Sequence, residues 1–460
     1  MIIGPEIRKY EQQIVEQIQA LIGIRSVLDV PKPGMPFGEG IAAALQYMLE
    51  LGESLGFRAV NVEGYAGYLE YGEGEEIVGV LVHLDTVPEG HGWSSPPFAA
   101  EIHGGRIVGR GAADNKGPAV VAVYALLAIK ELGVACNRRI RIIFGTNEEN
   151  GMTDMDEFFA REPLPDYAFT PDGAYPIVNA EKGFYVVKLV GDAPVGLASL
   201  RSFFAGRAPN VIPDLCSVEL GGMDDKAIAI MMEKLSASSV ISGQVGEQGT
   251  LLLEAVGKTG HGGNPSAGIN AIGLMLAFLN ESSEVVGEDP QLKFLHQAIG
   301  MEVDGQSLGI ACQDPIHSGL TLNLAQIALN NRTLEVILNI RYPVTFDGDE
   351  IIEKVRQRAK DNGFTLIVEE YLAPLHVPAE HPLIIKLSAA YEKMTGQKTE
   401  LISSGGGTYA RKLQNRGVAF GAGFRGSDNR SHQPDESVGI EDMLRHGEIC
   451  TQAIYELATM

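Results

Sequence analysis

His83 and Asp85 stand two apart in L-V-H-L-D, at the end of an apolar run that reads as a buried strand. In an extended chain, residues i and i+2 project to the same side. One of the two can then ligate a metal while the other accepts from the remaining imidazole nitrogen and fixes the ring. An isolated H-x-D is more often a core histidine beside a capping aspartate. Further motifs strengthen the metal reading. Asp114 lies in G-R-G-A-A-D-N-K-G-P, a turn ahead of a helix, where alone it would read as a cap. Glu148 and Glu149 are adjacent in G-T-N-E-E-N-G after a second apolar run. Two neighbouring acids need positive charge nearby, or one takes up a proton. Asp172 follows a further probable strand in F-T-P-D-G, and His432 stands in the polar loop S-H-Q-P-D-E-S. His83, Asp114, Glu149, Asp172 and His432 together make a nitrogen-and-oxygen donor set. Such a set suits zinc, manganese or cobalt and lacks the thiolates of structural zinc sites. A carboxylate bridging two cations about 3.5–4 Å apart is the arrangement of co-catalytic hydrolytic centres.

These residues need a scaffold that gathers strand ends. Ile77–Val82 and Ile140–Phe144 read as buried strands, with a helix between them that opens at Gly117-Pro118 and closes at Gly133. Strand, crossover helix, strand predicts a parallel sheet in an α/β domain, whose sites form at the carboxyl ends of the strands. The middle of the chain differs. Two alternating runs in L-T-L-N-L-A-Q-I-A-L-N-N-R-T-L-E-V-I-L-N-I-R-Y-P, joined at Asn330-Asn331, predict an antiparallel hairpin. Helices are expected over I-N-A-I-G-L-M-L-A-F-L-N and on the face formed by Ile351, Ile352, Val355 and Ala359. After about residue 378 the helix–strand alternation resumes and runs to a final helix.

The 460 residues suffice for two or three domains, and 45% hydrophobic with 21% charged residues describes a globular chain. With 36 basic against 59 acidic residues the net charge is -23, which disfavours nucleic acid and anionic membrane as partners. Cys136, Cys216, Cys312 and Cys450 form no C-x-x-C pair and read as buried thiols of a reducing compartment. The first residues lack the pattern of a secretory signal, since Tyr10, Ile14, Ile18, Leu21 and Ile22 instead share a helical face. No apolar run reaches membrane-spanning length. A cytoplasmic location is expected. G-A-G-F-R-G at 421–426 imitates a dinucleotide-binding turn, but the polar S-D-N-R-S-H-Q-P-D-E-S that follows cannot open the required helix.

Taken together and in order, L-V-H-L-D-T-V-P-E-G, G-R-G-A-A-D-N-K-G-P, G-T-N-E-E-N-G, F-T-P-D-G-A-Y-P-I-V-N-A-E-K-G, G-K-T-G-H-G-G-N-P-S-A-G-I-N-A, N-I-R-Y-P, S-S-G-G-G-T-Y-A-R and S-H-Q-P-D-E resemble one metallopeptidase family. It is the family of aminoacylases, carboxypeptidase G, acetylornithine deacetylase and succinyl-diaminopimelate desuccinylase, and the likeness is greatest to its bacterial dipeptidases. The resemblance implies two divalent metal ions per chain, zinc foremost with manganese or cobalt as alternatives. His83 and Asp172 would hold one ion, Glu149 and His432 the other, and Asp114 would bridge them. Asp85 would orient His83. Glu148, the acid left over beside Glu149, would pass a proton from the attacking water to the leaving nitrogen.

The resemblance also implies that the 432 − 172 = 260 positions between Asp172 and His432 contain an inserted lid. The expected fold is therefore α/β, a discontinuous catalytic domain with a central mixed sheet and flanking helices, plus an inserted α+β lid domain. The expected boundaries are 1–182 and 378–460 for the catalytic domain and 183–377 for the lid. From the lid, His261 would steady the oxyanion, Asn210 would add a polar contact and Arg341 would clamp a substrate carboxylate. Gly406, Gly407 and Thr408 would offer backbone N–H groups to the same carboxylate. Two departures from the family pattern are Asn115, where aspartate is frequent, and Gly263, where serine is. The implied activity is hydrolysis of free dipeptides, small peptides being the partners of a monomeric enzyme. An N-acyl-amino-acid deacylase or a carboxypeptidase would use the same two-metal site.

Overall fold

The computed structural model describes residues 1–194, 200–330 and 332–460. The chain separates into two compact units. The first comprises 1–180, 375–403 and 407–460, and the second 181–374 with 404–406. The divisions expected from the sequence are 182/183 and 377/378. Residues 404–406 group with the second unit, where the Ser404 carbonyl accepts from Lys182 N–H at 3.0 Å and the Gly405 carbonyl accepts from Arg341 Nη1.

In the first unit, Ile77–His83 and Arg139–Gly145 are parallel neighbours, in register from Ile77 opposite Arg139 to His83 opposite Gly145. Tyr167–Thr170 lies parallel on the other side of Ile77–His83, and Gly417–Ala419 parallel beyond that. Antiparallel strands Ala66–Tyr71 and Arg58–Val62 extend the sheet past Arg139–Gly145, so it is mixed. Every residue of Ile77–His83 is buried, as expected of a central strand covered on both faces. The crossover helix Lys116–Glu131 is buried from Lys116 through Ile129. It lies against the sheet and the helices Glu11–Ile22 and Ile440–Ala458, which explains its weak amphipathic pattern.

The second unit is an antiparallel sheet with helices. Its order runs Ile241–Val245, Leu251–Val256, Leu215–Leu220, Leu200–Ala205, Thr321–Asn330, Thr333–Tyr342, Gly183–Asp192, Phe364–Leu372. Thr321–Asn330 and Thr333–Tyr342 pair antiparallel, while Asn331 of the expected turn lies outside the described residues. Ala271–Glu281 lies on strands Leu215–Leu220, Leu251–Val256 and Thr321–Asn330. Gly348–Asp361 buries Ile351, Ile352, Val355 and Ala359, the face expected from their spacing. Within residues 421–426 the chain forms the short strand Ala422–Gly423, a loop follows, and the next helix among the described residues starts at Ile440. No dinucleotide-binding turn is formed there. Among the described residues no helix is long and apolar enough to cross a membrane.

Candidate metal centre

Three parallel strands end side by side, and each delivers an acid or histidine to the same sheet edge. His83 is the last residue of its strand and only 1% exposed. Glu148 and Glu149 open a short 3-10 turn just beyond Arg139–Gly145. Asp172 follows Tyr167–Thr170 by two residues. Asp114 arrives from the loop ahead of Lys116–Glu131, and His432 from a loop where its φ is +63°.

His83 Nε2 lies 2.9 Å from Asp114 Oδ1 and 3.6 Å from Asp172 Oδ2. His432 Nε2 lies 3.1 Å from Asp114 Oδ2 and 3.1 Å from Glu149 Oε1. Each Asp114 oxygen thus faces a different imidazole, the disposition of a bridging carboxylate. Ligand atoms of His83, Asp114 and Glu149 fall within 4.8 Å of one another, and so do those of His83, Glu148 and Asp172. Among the described residues no lysine or arginine is ion-paired with these four carboxylates.

Proton affinities record that excess of negative charge. Burial, then the charge of Asp172, raises Glu148 well above the usual carboxylate range. Burial and Asp114 push Glu149 up to about 7. Burial opposes the imidazolium of His432, but hydrogen bonds to Asp114 and Glu149 push it up to about 11. His83 is likewise raised against its burial, by the Asp172 charge and by hydrogen bonds to Asp114 and Asp172. Burial also opposes the charge of Asp114, and the two histidines outweigh it and lower its pKa. That excess of negative charge and the oxygen-and-imidazole donors suit divalent cations.

Asp85 is fully buried, but its carboxylate does more than face the imidazole. His83 Nδ1 is 3.0 Å from the Asp85 carbonyl oxygen and 3.6 Å from its Oδ1. The Asp85 oxygens instead accept the N–H groups of Glu148 and Glu149, each at 3.1 Å. The backbone of Asp85 therefore orients His83, and its side chain sets the turn that carries both glutamates.

The remaining expected residues lie mainly in the second unit. Arg341 is buried on Thr333–Tyr342, with Nε donating to Asn339 Oδ1 at 3.1 Å and its guanidinium 5.3 Å from the Phe184 ring centre. His261 bridges Val211, and the Asn210 carbonyl accepts from Gly262 N–H at 2.7 Å, so Asn210 and His261 are neighbours. A Cβ at Gly263 would stand 2.9 Å from His261 Cε1 and 3.1 Å from Arg341 Nη1. Glycine at that position leaves room between the imidazole and the guanidinium. Gly406 N–H donates to Ser404 Oγ at 3.0 Å. Gly407 and Thr408 belong to the first unit, where the Thr408 hydroxyl caps Tyr409–Leu413.

Sequence reasoning missed several supports. Asn115 Nδ2 donates to Asp172 Oδ1 at 3.2 Å and to the Pro171 carbonyl at 2.9 Å. An ionised aspartate there could not donate, so these two bonds depend on the asparagine. Asp154 Oδ2 accepts Thr146 N–H at 2.7 Å, Asn147 N–H at 3.1 Å and the Tyr409 hydroxyl, fixing the approach to Glu148. Glu436 is fully buried beside Arg110. In the sequence it looks no different from its neighbour Asp435.

The model of peptidase family M20/M25/M40 matches residues 79–456. The chain is 38% identical over 461 residues to "Putative dipeptidase YtjP" of Bacillus subtilis strain 168, covering 98% of this chain and 99% of that one. Human carnosine dipeptidase 1 shares the fold with a TM-score of 0.61 at 15% identity, covering 99% and 98% of the two chains. The di-peptidase Dug1p of Saccharomyces cerevisiae does so with a TM-score of 0.60 at 14% identity and the same coverage.

Proposed function

Because the chain belongs to peptidase family M20/M25/M40, we propose that it is a metal-dependent dipeptidase cleaving the peptide bond of free dipeptides. The observation that carries this reading is Asp114 between two imidazoles, with a second buried acid, Glu148, beside Glu149. In this reading His83 and Asp172 would hold one divalent cation and Glu149 and His432 the other, with Asp114 shared between them. Zinc is the proposed metal, and manganese and cobalt suit the same donors. Two bound cations would acidify a water and polarise the scissile carbonyl.

The chain's own groups do the rest. Glu148 takes the proton from the attacking water and delivers it to the leaving nitrogen. The burial that raises its proton affinity matches a group that must hold a proton midway through the reaction. Asp85 keeps Glu148 and Glu149 in register through their N–H groups. We assign the second unit the role of lid, with His261 steadying the oxyanion and Asn210 contributing beside it. Arg341 pairs with the substrate's carboxylate, and Gly406, Gly407 and Thr408 line the same end. We assign the enzyme to the cytoplasm as a monomer, the four free cysteines being in keeping with a reducing compartment.

Support for dipeptides comes from the relatives, whose names carry that activity. The test is a substrate panel on metal-loaded protein: free dipeptides, β-alanyl dipeptides, N-acetyl and N-succinyl amino acids, and tripeptides. Dipeptides are expected to be cleaved fastest. Turnover confined to acyl amino acids would replace the dipeptidase by a deacylase, and preferred release of the C-terminal residue from the tripeptides would make it a carboxypeptidase.

A further inference from the structure

Four residues beyond His432, the Glu436 side chain lies in the interior of the first unit with no exposed surface. Its Oε1 accepts from the N–H groups of Ala113 at 3.0 Å and Asp114 at 3.1 Å. Its Oε2 accepts from Gly111 N–H at 3.2 Å and Arg110 Nη1 at 2.5 Å. Its backbone carbonyl accepts from Gly109 N–H at 2.9 Å. Four donors use the lone pairs of this carboxylate, so it is not a spare ligand. Arg110 is itself buried, with its guanidinium 5.3 Å from the ring centre of Trp93, the chain's sole tryptophan.

One carboxylate therefore clamps the loop that carries Asp114 to the loop that carries His432. Across this clamp, His432 Nε2 meets Asp114 Oδ2 at 3.1 Å. The other side of the cluster is held differently: His83 ends a central strand and Asp172 is fixed by Asn115. We propose that Glu436 is a positioning residue that sets the affinity of the cation position formed by Asp114, Glu149 and His432 far more than that of the His83–Asp172 position, which shares only Asp114 with it and is otherwise held by a central strand. The proposal rests on the two-cation reading of the cluster. Partners outside the ligand shell commonly change metal affinity about 10–100-fold when altered.

The experiment titrates metal-free full-length protein with Mn2+ at equilibrium and follows free Mn2+ by electron paramagnetic resonance. Wild type, Glu436→Gln and Glu436→Asp are compared. Wild type is expected to bind two ions, and fewer would sink the two-cation reading itself. In the variants one ion should bind within about threefold of wild type and the other about 10–100-fold more weakly. Hydrogen exchange at the Ala113 and Asp114 amides, measured without metal, should quicken in both variants. Should Glu436→Gln not unfold cooperatively, Glu436→Asp decides, because it keeps the charge opposite Arg110. Two ions bound as in wild type, or both weakened equally, overturns the proposal while the two-cation reading stands.

Discussion

Each oxygen of Asp114 meets a different imidazole, and that division of labour organises the chemistry of the cluster. It leaves two adjacent acids to be told apart. Ligand atoms of Glu149 group with His83 and Asp114, while those of Glu148 group with His83 and Asp172. Glu148→Gln separates acid–base work from ligation. Turnover should fall about 10²–10⁴-fold, the usual reach of general acid–base catalysis. Metal content by elemental analysis should stay at the wild-type level, and loss of an ion would make Glu148 a ligand. The histidines offer a second test. His83 and His432 are held above the ordinary imidazole value, His432 at about 11, so both carry protons near pH 7 in the metal-free protein. Ligation requires the neutral ring, so metal uptake should release protons and tighten as pH rises. A lightly buffered titration that records no proton release would remove the histidines from the ligand set.

Among the elements, the parallel pair Ile77–His83 and Arg139–Gly145 decides where chemistry occurs. Its register places His83 opposite Gly145, so the glutamate turn and the imidazole leave the sheet together. The final helix, Ile440–Ala458, contributes stability from behind the sheet. Its His446 is fully buried, with Nδ1 2.9 Å from the Tyr175 hydroxyl, and burial lowers its pKa to about 3. In the unfolded chain the same group titrates near its ordinary value of 6.5. The folded value is depressed, so between pH 6.5 and about 3 the unfolded state binds a proton that the folded state refuses. His446 thus supports the fold above pH 6.5, and that support is lost as pH falls, by up to about 1.4 kcal/mol per pH unit. Denaturant unfolding of His446→Gln should show a shallower acid loss than wild type over this window. Identical slopes would place the acid sensitivity elsewhere.

The whole molecule divides its duties between units. The metal-ligating candidates belong to the first, whereas Asn210, His261 and Arg341 belong to the second. If Arg341 clamps the substrate's carboxylate, Arg341→Ala should raise KM for dipeptides by about 10-fold or more and leave their C-terminal amides nearly untouched. Equal losses on both substrates would return Arg341 to a structural role beside Phe184 and Asn339. Gly263 belongs to the same argument, because the room it leaves between His261 and Arg341 is a property of this chain.

Donor types, the order of the motifs and the strand–helix–strand frame that gathers them are legible without coordinates. Apolar runs of strand length and a helix bounded by proline and glycine are local signals, and His83, Glu148, Glu149 and Asp172 sit at their ends. Tertiary structure decided what depends on partners distant in the chain. Glu436 finds Arg110 across 326 positions, and no local pattern distinguishes it from Asp435, which pairs with the exposed Ser94. Asp85 could be read as a partner of the His83 ring, yet its carboxylate is taken by two amides 63 and 64 positions away. Asn115 shows in the sequence only as a departure from aspartate, and folding alone brings its amide within reach of Asp172. Sequence spacing reports which groups are present, whereas the lone pairs each one spends depend on which backbone donors folding brings beside it.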